Sequence, residues 1–82
     1  MHRCLCCRNR TLHEEPPGTF EVCPVCFWED DLVQGLDSQA LGGANQVTLT
    51  LARSNYACFG ASDEQFIADP VVGATAGGGA RV

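Results

Sequence analysis

The chain has 82 residues, a net charge of −5 and six cysteines. That length allows one domain with a small core, and a core of that size often needs a staple. Ten acids against five arginines, with no lysine, make the chain a poor phosphate binder by overall field, and no apolar run is long enough to cross a bilayer.

The opening Met1-His2-Arg3-Cys4 lacks the apolar run of a signal peptide, so the cytoplasm is the expected compartment. Reducing conditions there favour metal thiolates over disulfides. Cys4-Leu5-Cys6-Cys7 is followed, after residues 8–22, by Cys23-Pro24-Val25-Cys26. This C-x2-C-x15-C-x2-C order lies at the short end of the zinc-ribbon range. Two residues between cysteines let one tight turn aim both sulfurs at one point, and its N–H groups can donate to the thiolates. Zinc takes four such ligands in a tetrahedron at ~2.3 Å. The spacing therefore predicts one Zn2+ per chain on Cys4, Cys7, Cys23 and Cys26. Four thiolates leave no open position, so the site reads as structural. Iron of rubredoxin type is the alternative metal, and a pair of disulfides is the metal-free alternative.

Cys6 lies inside the first knuckle and is expected to face away from the metal. Arg3, Arg8 and Arg10 surround that knuckle. They read as compensation for a site of formal charge near ~−2. The alternative is a small patch for RNA or DNA, but no aromatic residue interleaves with them as a stacking surface requires. His2 and His13 are poorly placed to be ligands and are expected to face solvent.

Arg10–His13 reads as a strand, Glu14–Gly18 as a turn, and Thr19–Val22 as a second strand, giving a hairpin that feeds the second knuckle. Phe27-Trp28 is apolar enough to roof the site or begin a third strand. Glu29-Asp30-Asp31 reads as a solvated turn, because a hard-cation site needs more oxygen ligands. Residues 32–46 look irregular. Gly42-Gly43-Ala44-Asn45 is a turn with positive φ values that lacks the Lys-Ser/Thr ending of a phosphate loop.

Thr48 is placed to cap a helix, and Leu49, Ala52, Tyr56 and Phe59 recur on one face of it. Leu51 lies near that stripe. Gly60 is placed to end the helix, which is expected to pack beside Phe27 and Trp28. Ala61–Phe66 reads as a docked extension. From Asp69 the chain turns rich in Gly and Ala, so residues 1–68 read as the domain and 69–82 as a flexible tail. The fold class expected is a small metal-stabilised α+β domain: a zinc-ribbon-like β-hairpin with two CxxC knuckles, then one C-terminal helix.

Several blocks together resemble the bacterial cysteine-rich CPCC family. They are Cys-x-Cys-Cys at 4–7, Val22-Cys23-Pro24-Val25-Cys26-Phe27-Trp28-Glu29-Asp30-Asp31, Gly42-Gly43-Ala44-Asn45, and Leu49-x-x-Ala52-Arg53-x-Asn55-Tyr56-x-x-Phe59-Gly60. The resemblance implies a small zinc-binding module and no particular activity. It also implies that cysteine is routine at position 6. Leu5 departs from the proline that gives the family its name, which Pro24 keeps. Arg8 stands where knuckles often carry glycine, so strain is expected after Cys7.

Cys6 and Cys58 fall outside the ligand set and read as small apolar residues, with redox chemistry as the alternative. No Ser-His-Asp set or Cys-His pair can be assembled, so no enzyme activity is expected. The expected function is a zinc-binding module that mediates interaction with another protein. The alternatives are a nucleic-acid-binding zinc ribbon and a thiol redox sensor.

Overall fold

The computed structural model describes residues 1–67. The tail expected at 69–82 lies outside the described residues.

One small loop is used twice. In the first knuckle the Cys4 N–H donates to the Asn9 carbonyl at 2.9 Å, and the Arg8 N–H to the Cys4 carbonyl at 2.9 Å. In the second the Cys23 N–H donates to the Trp28 carbonyl at 2.9 Å, and the Phe27 N–H to the Cys23 carbonyl at 2.8 Å. The sequence offsets are identical. Each loop closes on itself and brings its own two flanks side by side.

This closure sets the strand pairing. β1 (His2–Arg3) runs antiparallel to β2 (Arg10–Leu12), with His2 opposite Leu12 and an irregularity before Arg3. Across the second knuckle Val22 bridges Glu29. The Phe20 N–H donates to the Asp30 carbonyl at 3.0 Å, and the Asp30 N–H to the Glu21 carbonyl at 2.9 Å. The two-strand hairpin is therefore present, but its strands flank the first knuckle. Residues 10–12 do not pair with 19–22, because each knuckle fixes the partner of its own flanks.

The connection between the knuckles is tied by one carboxylate. Glu21 accepts the His13 N–H at 3.0 and 3.1 Å and the Glu14 N–H at 3.0 Å, and it lies 2.9 Å from His13 Nδ1. The His13 N–H and imidazole hold the Glu21 carboxyl below its usual 4.5. A depressed carboxyl stabilises the fold above its unfolded pKa, and that contribution is lost as pH falls through the folded value. Glu21→Gln is thus expected to lower the melting temperature of the zinc-loaded protein at neutral pH. Thermal melts read this directly, and an unchanged melting temperature would contradict the assignment.

Residues 32–46, expected to be irregular, contain α1 (Leu32–Leu36). Asp31 caps it, its Oδ2 accepting the Gln34 N–H at 3.0 Å. Gly35 lets α1 approach the connection closely: a Cβ there would lie 2.5 Å from Pro17 Cβ. Glu29-Asp30-Asp31 is not a solvated turn. Trp28 and Asp30 alternate with Glu29 on an extended segment, so both point inward and each is 1% exposed. Asp30 Oδ2 accepts the Thr19 N–H at 2.9 Å.

α2 (Leu49–Phe59) forms with the ends expected. The Thr48 hydroxyl accepts the Leu51 N–H at 3.0 Å. Gly60 takes φ 85°, where a Cβ is disfavoured, and its N–H closes on Tyr56. The buried stripe is narrower than expected. Leu49 and Ala52 are buried and Tyr56 partly so, while Leu51 and Phe59 are exposed. The core is too small to reach further along the helix. It consists of Cys4, Cys6, Leu12, Cys23, Cys26, Trp28, Leu49 and Ala52. Trp28 is thus beneath α2 as expected, but Phe27 is exposed.

Polar ties fix α2 to the first knuckle. Arg53 Nε donates to the Leu5 carbonyl at 2.8 Å, and Asn9 Nδ2 to the Tyr56 hydroxyl at 3.2 Å. Beyond the helix Ala61 and Ser62 are buried, and the Ser62 N–H donates to the Cys26 carbonyl at 2.8 Å. A 3₁₀ turn at Glu64–Phe66 follows, so the extension docks. No helix among the described residues is long and apolar enough to cross a membrane.

Candidate metal centre

The two knuckles face each other and bring Cys4, Cys7, Cys23 and Cys26 together, with every sulfur within 4.8 Å of the others. Cys4 and Cys26 are 3.6 Å apart, and Cys7 and Cys23 3.7 Å. A tetrahedron with Zn–S of ~2.3 Å has edges of about 3.8 Å. A disulfide would need ~2.05 Å. All six cysteines are free thiols. The sulfurs are thus spaced as a ligand set, and the four residues can hold a metal ion.

The backbone around them has the same symmetry as the loops. N–H groups of Cys6 and Cys7 point at the Cys4 sulfur, and that of Asn9 at Cys7. Those of Val25 and Cys26 point at Cys23, and that of Trp28 at Cys26. Each favours the thiolate. In the protonated set these donors compete with crowding and burial. The contact with Cys26, then burial, pushes the Cys4 thiol far up. Burial raises Cys7. Contact with Cys4 lowers Cys26, but Cys6 and burial outweigh it and the thiol is raised. Burial opposes ionisation of Cys23 too, yet the Thr11 hydroxyl, the two N–H groups and Cys7 bring it down to about 7.

Thr11 is a supporting residue that sequence reasoning missed. Its hydroxyl lies 3.1 Å from the Cys23 sulfur. Once Cys23 is ionised, the hydroxyl is the proton donor of the pair. No spacing rule marks such a residue, because β2 reaches Cys23 only through the pairing of the two knuckles. Metal binding here displaces thiol protons, so affinity rises with pH.

The arginines act on the backbone. Arg3 Nη1 donates to the Arg8 carbonyl at 2.8 Å, and Arg10 Nη1 to the Met1 carbonyl at 3.3 Å. With Arg53 on the Leu5 carbonyl, three guanidinium groups brace the first knuckle. Arg3, Arg8 and Arg10 make no hydrogen bond to the four sulfurs.

A family model described as cysteine-rich CPCC matches residues 2–75. The chain belongs to the cysteine-rich CPCC family. Comparison with curated proteins finds no match.

The structure shows what the departures from the CPCC pattern do. Leu5, in place of the proline, packs against the core. Arg8 takes φ 69°, the strained conformation expected after Cys7, and Phe27 takes φ 68° at the equivalent place after Cys26. Both sit in the left-handed region that favours glycine. His2 and His13 are exposed and outside the cluster.

Cys6 corrects an expectation. It is 4% exposed and part of the core, against Cys26, and does not face outward. It is still not one of the four converging sulfurs. Cys58 is exposed on α2 and does not pack as a buried apolar residue. Cys6→Ser is expected to keep zinc affinity in reductant within tenfold of wild type, read by chelator competition. A larger drop, above ~1.4 kcal/mol, would bring Cys6 into the coordination sphere.

Proposed function

We propose that the protein is a zinc-binding module in which one Zn2+, held by Cys4, Cys7, Cys23 and Cys26, is structural, and whose folded surface binds another protein. The observation that carries this is the closed cage of four sulfurs, three of them from fully buried cysteines. The donor set suits a soft, tetrahedral ion, and N–H groups converge on each sulfur. When bound, the metal supplies a cross-link between the two knuckles. Four thiolates leave it no position for water or substrate.

Binding to protein is supported by the exposed apolar side chains left on so small a domain. Phe20, Val33, Leu36 and Leu41 are between 58% and 73% exposed. The net charge of −5 and the arginines engaged with backbone carbonyls weigh against nucleic acid. The six free thiols suit a reducing compartment, and the cytoplasm is the proposed location.

Native mass spectrometry of protein purified without chelator is expected to show one zinc per chain, lost in Cys23→Ser. Finding iron would change the metal, and finding zinc intact in Cys23→Ser would remove the ligand set. A salt-dependent gel shift with RNA or DNA would replace the protein partner with nucleic acid.

A further inference from the structure

A cavity of about 320 Å³ opens between the second knuckle and the chain beyond α2. Val22, Phe27, Val47 and Phe66 are apolar walls of it, and Glu29 and Asp63 are the carboxylate residues in its lining. Phe27 and Phe66 pair with ring centroids 5.6 Å apart and planes inclined by 36°. Among the described residues no arginine lines the cavity, and no basic side chain pairs with Glu29 or Asp63.

We propose that this groove docks an extended segment of a partner protein through an arginine or lysine side chain flanked by an apolar residue. The proposal deepens the interaction reading above and rests on it. Charge complementarity selects the occupant: two carboxylates beside two aromatic faces attract a cation both by Coulomb interaction and by the ring quadrupole. The apolar walls take the neighbouring side chain, while an acidic segment is repelled.

Phe27 is 40% exposed and packs on Phe66 in the groove wall. The groove is rigidly framed. The Glu29 N–H and carbonyl are both bonded to the Asn45 side chain, at 2.9 and 2.8 Å. Asp63 Oδ1 is turned toward the Gln65 N–H at 3.4 Å. The Glu29 carboxylate itself makes no hydrogen bond within the described residues, so Glu29→Gln changes charge without touching the fold.

The test uses the zinc-loaded full chain, labelled with 15N, and two blocked tripeptides, Leu-Arg-Leu and Leu-Glu-Leu. The arginine peptide is expected to move the amides of Val22, Glu29 and Phe66, less so in high salt, and the glutamate peptide to leave them in place. The double variant Glu29→Gln, Asp63→Asn, with zinc content checked, is expected to weaken binding about fivefold, the scale of two partly exposed ion pairs. Equal responses to the two peptides, or none, would overturn the groove. So would amide shifts that follow protein concentration alone, which would seat a second copy there. If the groove fails while a partner co-purifies equally with wild type and double variant, the interaction reading stands on another surface. If nothing co-purifies with either, both readings fall.

Discussion

Excess chelator is expected to unfold the domain, with loss of the near-UV signal of Trp28. Four of the eight core residues are cysteines, and Leu12, Trp28 and Leu49 are the only large apolar side chains among them. The β-sheet is two strands of two and three residues. Such elements do not hold by themselves. Structural zinc contributes on the order of 10 kcal/mol or more in finger peptides, comparable to the whole stability of an ordinary domain. Without it, four crowded thiols, three of them buried, lie edge to edge with no covalent bond between the knuckles. Trp28 is 1% exposed, shares the core with the cysteines, and its backbone N–H points at the Cys26 sulfur, so its environment reports the centre. An unchanged circular dichroism spectrum, with zinc confirmed absent, would show that the apolar core suffices.

Gln34→Leu is expected to cost about 3 kcal/mol or more. Gln34 is 0% exposed. Its Nε2 faces the carbonyls of Ala40, Asn45 and Val47 at 3.2, 3.2 and 3.0 Å. Its Oε1 accepts the Asn45 N–H at 3.1 Å and Asn45 Nδ2 at 3.0 Å. Two amide protons serve three carbonyls, so one bond is shared. Leucine fills the volume but leaves buried carbonyls and donors unpaired, which costs more than the bonds are worth. Gly43 makes room for this hub, since a Cβ there would lie 2.7 Å from Gln34 Cδ. Chemical denaturation of the zinc-loaded variant measures the effect. A loss under 1 kcal/mol would mean that the loop repacks around leucine.

These two results also mark what the sequence made legible. The four-cysteine cluster is readable because a C-x2-C turn is a local device: chain geometry alone aims its sulfurs. The ends of α2 were readable for the same reason, since Thr48 and Gly60 act on their own neighbours. The strand partners were not readable, because alternation in residues 10–12 and 19–22 says that each is extended and nothing about which neighbour it takes. Closure of each knuckle decides that. α1 escaped because five residues show no periodicity and Gly35 argues against a helix, although Asp31 was a visible cap. Gln34 reads as an ordinary surface polar residue until Asn45 and three carbonyls are folded around it. Cys6 reads as outward-facing within its own knuckle, whereas in the fold it is buried in contact with Cys26 of the second knuckle.

The most direct measurement of the central claim is X-ray absorption at the zinc edge on protein purified without added metal or chelator. The expected spectrum fits four sulfur neighbours at ~2.3 Å and no nitrogen or oxygen. A fit that needs nitrogen or oxygen ligands, or the absence of zinc from folded protein, would contradict a closed four-cysteine centre.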